Sequence, residues 1–159
     1  MATTTTNLGL KKPATTDPVL IADINANMDK IDTLAPVSGT WTPVLKGSTT
    51  AGTATYARQL GKYYKIGKLV YIVADIQVST LTGGAGYYQI GGLPFAPATS
   101  APEKHFVQAV SNIAGAGQAW DAYTSAGIWL RDTTGLSAVA YANISTTAYI
   151  NITGCYMTN

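Results

Sequence analysis

The chain has 159 residues, of which 11% are charged and 47% hydrophobic, with a formal net charge of +2. That length accommodates one compact domain with an appendage, and the combination of low charge and high apolar content excludes a disordered chain. A near-neutral balance without a basic stripe gives no electrostatic ground for nucleic acid or an anionic membrane as partner.

Residues 1–16 are Thr-rich, include Lys11, Lys12 and Pro13, and show no period. They are expected to be extended and to order only against a partner. The opening MATTTTN has neither the basic nor the apolar region of a secretory signal, so the product is expected to stay in the cytoplasm of its maker until lysis or assembly carries it out. The longest apolar run, Leu69 to Ala74, falls far short of the roughly 20 residues of a spanning helix, so no membrane insertion is expected.

Asp17-Pro18 reads as a helix start, with Asp17 as N-cap and proline at the first helical position, and Pro36 supplies the stop. Between them Ile21, Ile24, Met28 and Ile31 recur at spacings of three, four and three, a short heptad seam, while Asp23, Asn25, Asn27, Asp29, Lys30 and Asp32 fill the other faces. With Asp17 as cap and Pro36 as stop, the stem over residues 17–36 holds a helix of about 27 Å, which is marginal alone in water. Isoleucine at both kinds of seam position favours three or four strands, so a parallel homotrimer with a helical stem is the expected arrangement. The alternative is a helix packed on its own domain.

From residue 37 to 159 the pattern is short strands broken by Gly, Pro, Ser and Thr. The expected strands are Thr40–Leu45, Ala54–Gln59, Lys62–Ile66, Leu69–Val78, Tyr87–Ile90, His105–Ile113, Gly127–Arg131, Ser137–Ala142 and Ala148–Met157. With no second amphipathic helix for crossovers, the fold class is mainly β, a jelly-roll-like β-sandwich body. Its centre is Tyr63 to Phe95. Gly67-Lys68 between Ile66 and Leu69 signals a tight hairpin, glycine supplying the positive φ of a II′ turn. Val70, Ile72, Ala74, Ile76 and Val78 share an apolar face. Leu69, Tyr71, Val73, Asp75 and Gln77 share the other, which is apolar only up to Val73. A second sheet, the helix or another subunit could cover Leu69, Tyr71 and Val73. If the stem holds three chains parallel, these residues join Ile21, Ile24, Met28 and Ile31 in the trimer interface.

Two stretches carry a resemblance. NLGLKKPATTDPVLIADINANMDKID, Asn7 to Asp32, resembles the N-terminal segment of many tailed-phage structural proteins, with its N-L-x-L-x-K-P opening, D-P-V and closing D-K-I-D. Gly39 to Phe95 is similar to the β-domain at the ends of phage tail fibres and tail spikes, with its G-x-W-T-P start, G-x-Y-x-x-I-G hairpin and G-L-P-F close, and AYINITGCYMT resembles a final strand of that domain. Residues 96–141 match no such pattern. The resemblance implies a virion component, usually a homotrimer, made in the host cytoplasm, attached to other tail or virion proteins by its N-terminal segment and presenting its body to host polysaccharide. The expected function is receptor binding at a tail tip or fibre. A purely structural role in a baseplate, collar or head fibre is the alternative.

Chemistry-bearing residues are sparse. His105 is the only histidine and begins a strand, and Cys155 is the only cysteine, so neither a metal site nor an intrachain disulfide is expected. No G-x-S-x-G is present. Glycoside hydrolysis would need two carboxylates, and Asp75, Glu103, Asp121 and Asp132 are the body's candidates. Gly83 to Gly86 lacks the helix and lysine of a phosphate cradle. Lys62, Tyr63, Tyr64, Lys65 and Lys68 mix base and ring as nucleic-acid surfaces do, but edge lysines that block strand pairing are the simpler reading. The sequons at Asn143 and Asn151 mean nothing without a secretory route. The expectation is a non-enzyme without cofactor or metal.

Binding is the better prospect. Alternation in Gly127 to Arg131 points Ile128 and Leu130 inward and Trp129 and Arg131 outward, and a tryptophan plate beside a guanidinium suits a sugar ring and its substituents. Trp120, Asp121 and Tyr123 form a second candidate glycan cluster. The competing role for these aromatics is core or subunit interface, and Trp41 is expected in the core.

Overall fold

The computed structural model describes residues 1–98, 105–113, 119–122, 127–130, 138–144 and 146–158, with the backbone alone for 105, 106 and 119–122. The chain forms two compact units, Met1–Val37 and Ser38–Asn159. Among the described residues it is mainly β, with one helix.

In the first unit, strands β1 (Thr3–Thr4) and β2 (Lys11–Lys12) pair antiparallel and lead to helix α1 (Ile21–Asp32). Residues 1–16 are therefore not merely extended. They fold back on their own helix: the Asn27 carboxamide accepts from the Lys11 N–H at 2.8 Å and donates to the Lys11 carbonyl at 3.0 Å. Lys11 Nζ meets Asp23 Oδ2 at 2.6 Å, and Lys30 Nζ donates to the Gly9 carbonyl at 2.6 Å. Asp23, Asn27 and Lys30 lie four and three apart, so one polar stripe of α1 holds the hairpin.

The helix is also shorter at its start than the proline suggested. Asp17 Oδ2 accepts from the Ala14 N–H at 3.1 Å, so its carboxylate serves the preceding turn. Leu20 becomes the N-cap, without a side-chain cap. At the other end Thr33 Oγ1 donates to the Lys30 carbonyl at 2.7 Å, and two i to i−3 bonds carry the chain to Ala35 before Pro36 stops it.

The second unit holds β3 (Val37–Trp41, beginning one residue earlier), β4 (Val44–Gly47), β5 (Thr53–Ile66), β6 (Leu69–Thr82), β7 (Tyr88–Gly91), β8 (His105–Ser111), β9 (Ala119–Ala122), β10 (Ile128–Leu130) and β11 (Ala148–Met157). They form a nine-stranded sheet in the order β3-β5-β6-β11-β8-β9-β10-β7-β4. Its terminal strands, β3 and β4, are separated in the chain only by Thr42 and Pro43. Proline cannot donate to a ladder, which is why the strand expected over Thr40–Leu45 breaks there and its halves serve opposite ends of the sheet.

The central hairpin is longer than its sequence signal. β5 runs through Gln59-Leu60-Gly61 without a break and pairs with β6 from Thr53↔Thr82 to Ile66↔Leu69, across Gly67 at φ 56. Gly61 is required mid-strand because Trp41 lies on it: a Cβ there would come within 2.6 Å of the Trp41 carbonyl and 2.7 Å of its indole nitrogen. A register irregularity at Tyr56–Arg58 lets the partly buried Tyr56 hydroxyl accept from the Leu45 N–H at 2.9 Å. β9 is a strand that no sequence signal announced, whereas the described part of the strand expected over Ser137–Ala142, residues 138–142, contributes isolated bridges, Tyr87↔Ala140 among them.

The core lies within the curl of this sheet. Val70, Ile72, Ala74, Ile76 and Val78 of β6 are all buried, joined by Leu45, Ile90, Val107, Ile128, Leu130, Ile150, Ile152 and Tyr156. Trp41 is in this core as expected, its indole N–H shared between the carbonyls of Lys62 at 3.2 Å and Val73 at 3.3 Å.

Candidate functional site

Three surfaces carry groups that the fold leaves unsatisfied. The first is the seam of α1. No residue of the helix is buried, and Ile21, Ile24, Met28 and Ile31 are exposed by 69, 38, 60 and 46%. The polar stripe of the same helix is occupied by the hairpin described above, so the apolar stripe alone lacks a partner within its unit.

The second is the outer face of β5, β6 and β11. Register sets Ile66, Leu69 and Met157 in one row, Tyr64, Tyr71 and Cys155 in the next, and Lys62, Val73 and Thr153 in a third. Leu69 and Tyr71 are 44 and 42% exposed, Ile66 and Tyr64 are also exposed, and Val73 is half-buried. Towards the other end the face turns polar: Arg58 Nε lies 2.8 Å from Asp75 Oδ2, Gln77 Nε2 donates to the Tyr149 hydroxyl at 3.1 Å, and Thr55 and Thr80 share a 2.7 Å bond. These groups satisfy one another, so the apolar end is the part still in need of cover.

The third surface surrounds Trp129. Ile128 and Leu130 are fully buried, and Trp129 points to the other face, where it is half-buried against Tyr87 with ring centroids 5.8 Å apart and planes tilted by 40°. The tryptophan is thus one wall of an aromatic pair rather than an open plate. Its indole N–H is buried without a hydrogen-bond partner. Register continues the row on both sides: Trp129 stands opposite Gln89 of β7 and Asp121 of β9, and Gln89 opposite Lys46 of β4. Gln89 is only 2% exposed.

Sequence had grouped Trp120, Asp121 and Tyr123 as one cluster, with Trp129 and Arg131 as another. The backbone brings the first pair beside the second strand, but on alternate sides: Asp121 pairs with Trp129, and Trp120 with the buried Leu130. Tyr123 and Arg131 lie outside the described residues, as do Glu103, Asp132 and the side chains of His105, Trp120 and Asp121. The sequence does not single out Tyr87, Gln89 and Lys46: the pairings of β10 with β7 and of β7 with β4 place Gln89 and Lys46 here, and the ring contact with Trp129 places Tyr87.

Burial raises the phenol pKa of Tyr56, Tyr88 and Tyr156, the last to about 12, against the weaker opposing effect of their backbone hydrogen bonds. All three are structural members of the core. Among the described residues no three His, Cys, Asp or Glu side chains converge, and no helix is long and apolar enough to cross a membrane. Compared with protein families, curated proteins and solved structures, the chain matches none.

Proposed function

We propose that the chain is a non-enzymatic virion component of a tailed phage, a subunit of a tail tip or fibre that binds host-surface glycan. It works as a parallel homotrimer with a jelly-roll-like body, made in the host cytoplasm and attached through its N-terminal segment to other virion proteins. The observation that carries this reading is the α1 seam. Four apolar residues at coiled-coil spacing stay exposed while the polar stripe is already engaged, and a short amphipathic helix in that condition is stabilised by packing against copies of itself. The apolar rows on β5 and β6 supply a second self-association surface of the same kind.

Glycan binding rests on the Tyr87–Trp129 pair. Rings of this size offer apolar stacking area for the C–H face of a sugar. A purely structural role in a baseplate, collar or head fibre is the second reading, and the half-buried state of Trp129 favours it because part of the ring is already spent on Tyr87.

Binding of the labelled full-length protein to host cells and to their isolated polysaccharide separates the two. Saturable binding that is lost in Trp129→Ala supports the receptor-binding role. Absence of binding by the assembled protein would leave the structural one.

A further inference from the structure

We infer that the body holds a second ligand pocket, distinct from the Tyr87–Trp129 pair, that takes a carboxylate-bearing sugar, with Lys46 as the group that holds the carboxylate. The inference rests on the reading of the body as a glycan binder and names the glycan class. A cavity of about 390 Å³ is lined by Lys46, Gly92, Leu93, Phe95, Pro97 and Gly127, with Ala96. That volume falls within the range of small-ligand sites, about 300–1,000 Å³. Leu93, Phe95 and Pro97 supply the apolar share of a lining whose open surface is more polar than apolar. Lys46 is the only ionisable side chain among the described lining residues.

Lys46 brings the one charge of the described lining. Its side chain is half-buried and makes no ion pair among the described residues, whose bridges are Met1–Asp17, Lys11–Asp23 and Arg58–Asp75. Its stem crosses β7 over Gly91: a Cβ on Gly91 would stand 3.0 Å from Lys46 Cε and 3.3 Å from Nζ. The bare glycine therefore leaves room for the lysine to lie along the strand. Gly127 and Gly92, which also line the cavity, have positive φ, and a Cβ on either would collide with a backbone carbonyl, of Ile90 and Thr42 respectively.

An ammonium in a lining of mixed polar and apolar character fits a ring with one apolar face, several hydroxyls and one negative substituent. A neutral sugar would leave the half-buried charge without a partner, and a simple anion would leave the apolar walls wet. A hexuronic or sialic acid residue satisfies both, with the carboxylate on Lys46 Nζ and the C–H face of the ring on Leu93, Phe95 and Pro97. The strand register puts Lys46 two strands from Trp129, with Gln89 between, at about 4.8 Å per strand, so one oligosaccharide could reach both surfaces.

The test is calorimetric titration of the full-length protein with a set of glucuronate, galacturonate and sialate oligosaccharides, their methyl esters, neutral oligosaccharides of matched length, and inorganic phosphate. At least one acidic oligosaccharide should bind, and its methyl ester should bind about tenfold or more weakly, as should Lys46→Met with the acid form. Lys46→Arg should retain most of the affinity. Gly91→Ala, whose backbone is unstrained, should fold normally by circular dichroism yet weaken the same ligand by lifting the lysine. Binding of neutral oligosaccharides alone, or equal affinity in Lys46→Met, would overturn the acidic pocket and leave the glycan-binding reading intact. Phosphate binding as tightly as the acid sugar would overturn the sugar assignment. No binding by any oligosaccharide would overturn both.

Discussion

The Tyr156 hydroxyl is bonded to both backbone groups of Phe95, donating to its carbonyl at 3.0 Å and accepting from its N–H at 3.3 Å. A side chain of the last strand thus fixes the Leu93-Pro94-Phe95 segment, which walls the Lys46 cavity. Tyr63 meets Phe95 edge-on at 5.2 Å, so the first arm of the central hairpin holds the same segment from another side. The motif that closes the familiar-looking stretch of sequence is therefore tied to both arms of the body's framework.

That relationship has a pH signature. Burial raises the Tyr156 phenol to about 12 in the folded chain, against about 10 in the unfolded one. Its folded pKa lies above the unfolded value, so its contribution is complete below pH 10 and is lost as pH rises towards 12. Tyr56 and Tyr88 shift in the same direction. Urea midpoints should hold steady from pH 7 to 9 and fall between 10 and 12. Tyr156→Phe should be less stable by about 1 kcal/mol at neutral pH and fall less steeply above pH 10. A variant curve parallel to the wild type throughout would count against the coupling.

Gly61→Ala should destabilise the body by about 1–3 kcal/mol, because the new methyl meets the Trp41 carbonyl and indole, and backbone on that side cannot swing away as a flexible side chain would. Thermal unfolding followed by Trp fluorescence measures it. The same substitution at Gly67, where nothing lies within 4 Å, should cost only the strain of a positive φ.

Placing aspartate at Ile24 and Met28 should weaken self-association strongly while leaving the unfolding of the body unchanged, since no residue of α1 is buried within the chain. Sedimentation velocity reads the first effect and calorimetry the second. A loss of helix content without a change in mass would instead mean that the seam packs within its own chain.

Leu69→Asp with Tyr71→Asp should weaken assembly as well, and should alter the stability of the dissociated chain by less than about 1 kcal/mol because both residues are exposed. Asp75→Asn, at the polar end of the same face, should change neither by much, since its partner Arg58 is an exposed ion pair worth about 0–1 kcal/mol.

Alternation made β6 readable: the five residues from Val70 to Val78 that share a face are the buried ones, and Gly67 turns the hairpin where its dipeptide said it would. The same rule placed Ile128 and Leu130 correctly. It failed where a residue's use was decided by a distant partner. Asp17 looked like a cap, but its carboxylate was taken by Ala14, and Pro43 split one apparent strand between the two ends of a sheet. Lys11 and Asn27 join residues 1–16 to the helix through a contact 16 positions apart, which no local pattern encodes. The candidate site was legible only in Trp129. Gln89 and Lys46 come to it through the pairings of β10 with β7 and β7 with β4, and Tyr87 through its ring contact with Trp129; such a register is a property of the folded sheet.

The most direct measurement is the mass of the full-length protein at micromolar concentration by size-exclusion chromatography with light scattering. The proposed homotrimer, packed through Ile21, Ile24, Met28 and Ile31, predicts three times the chain mass of 16.6 kDa. A single species of 16.6 kDa that persists at rising concentration would contradict it.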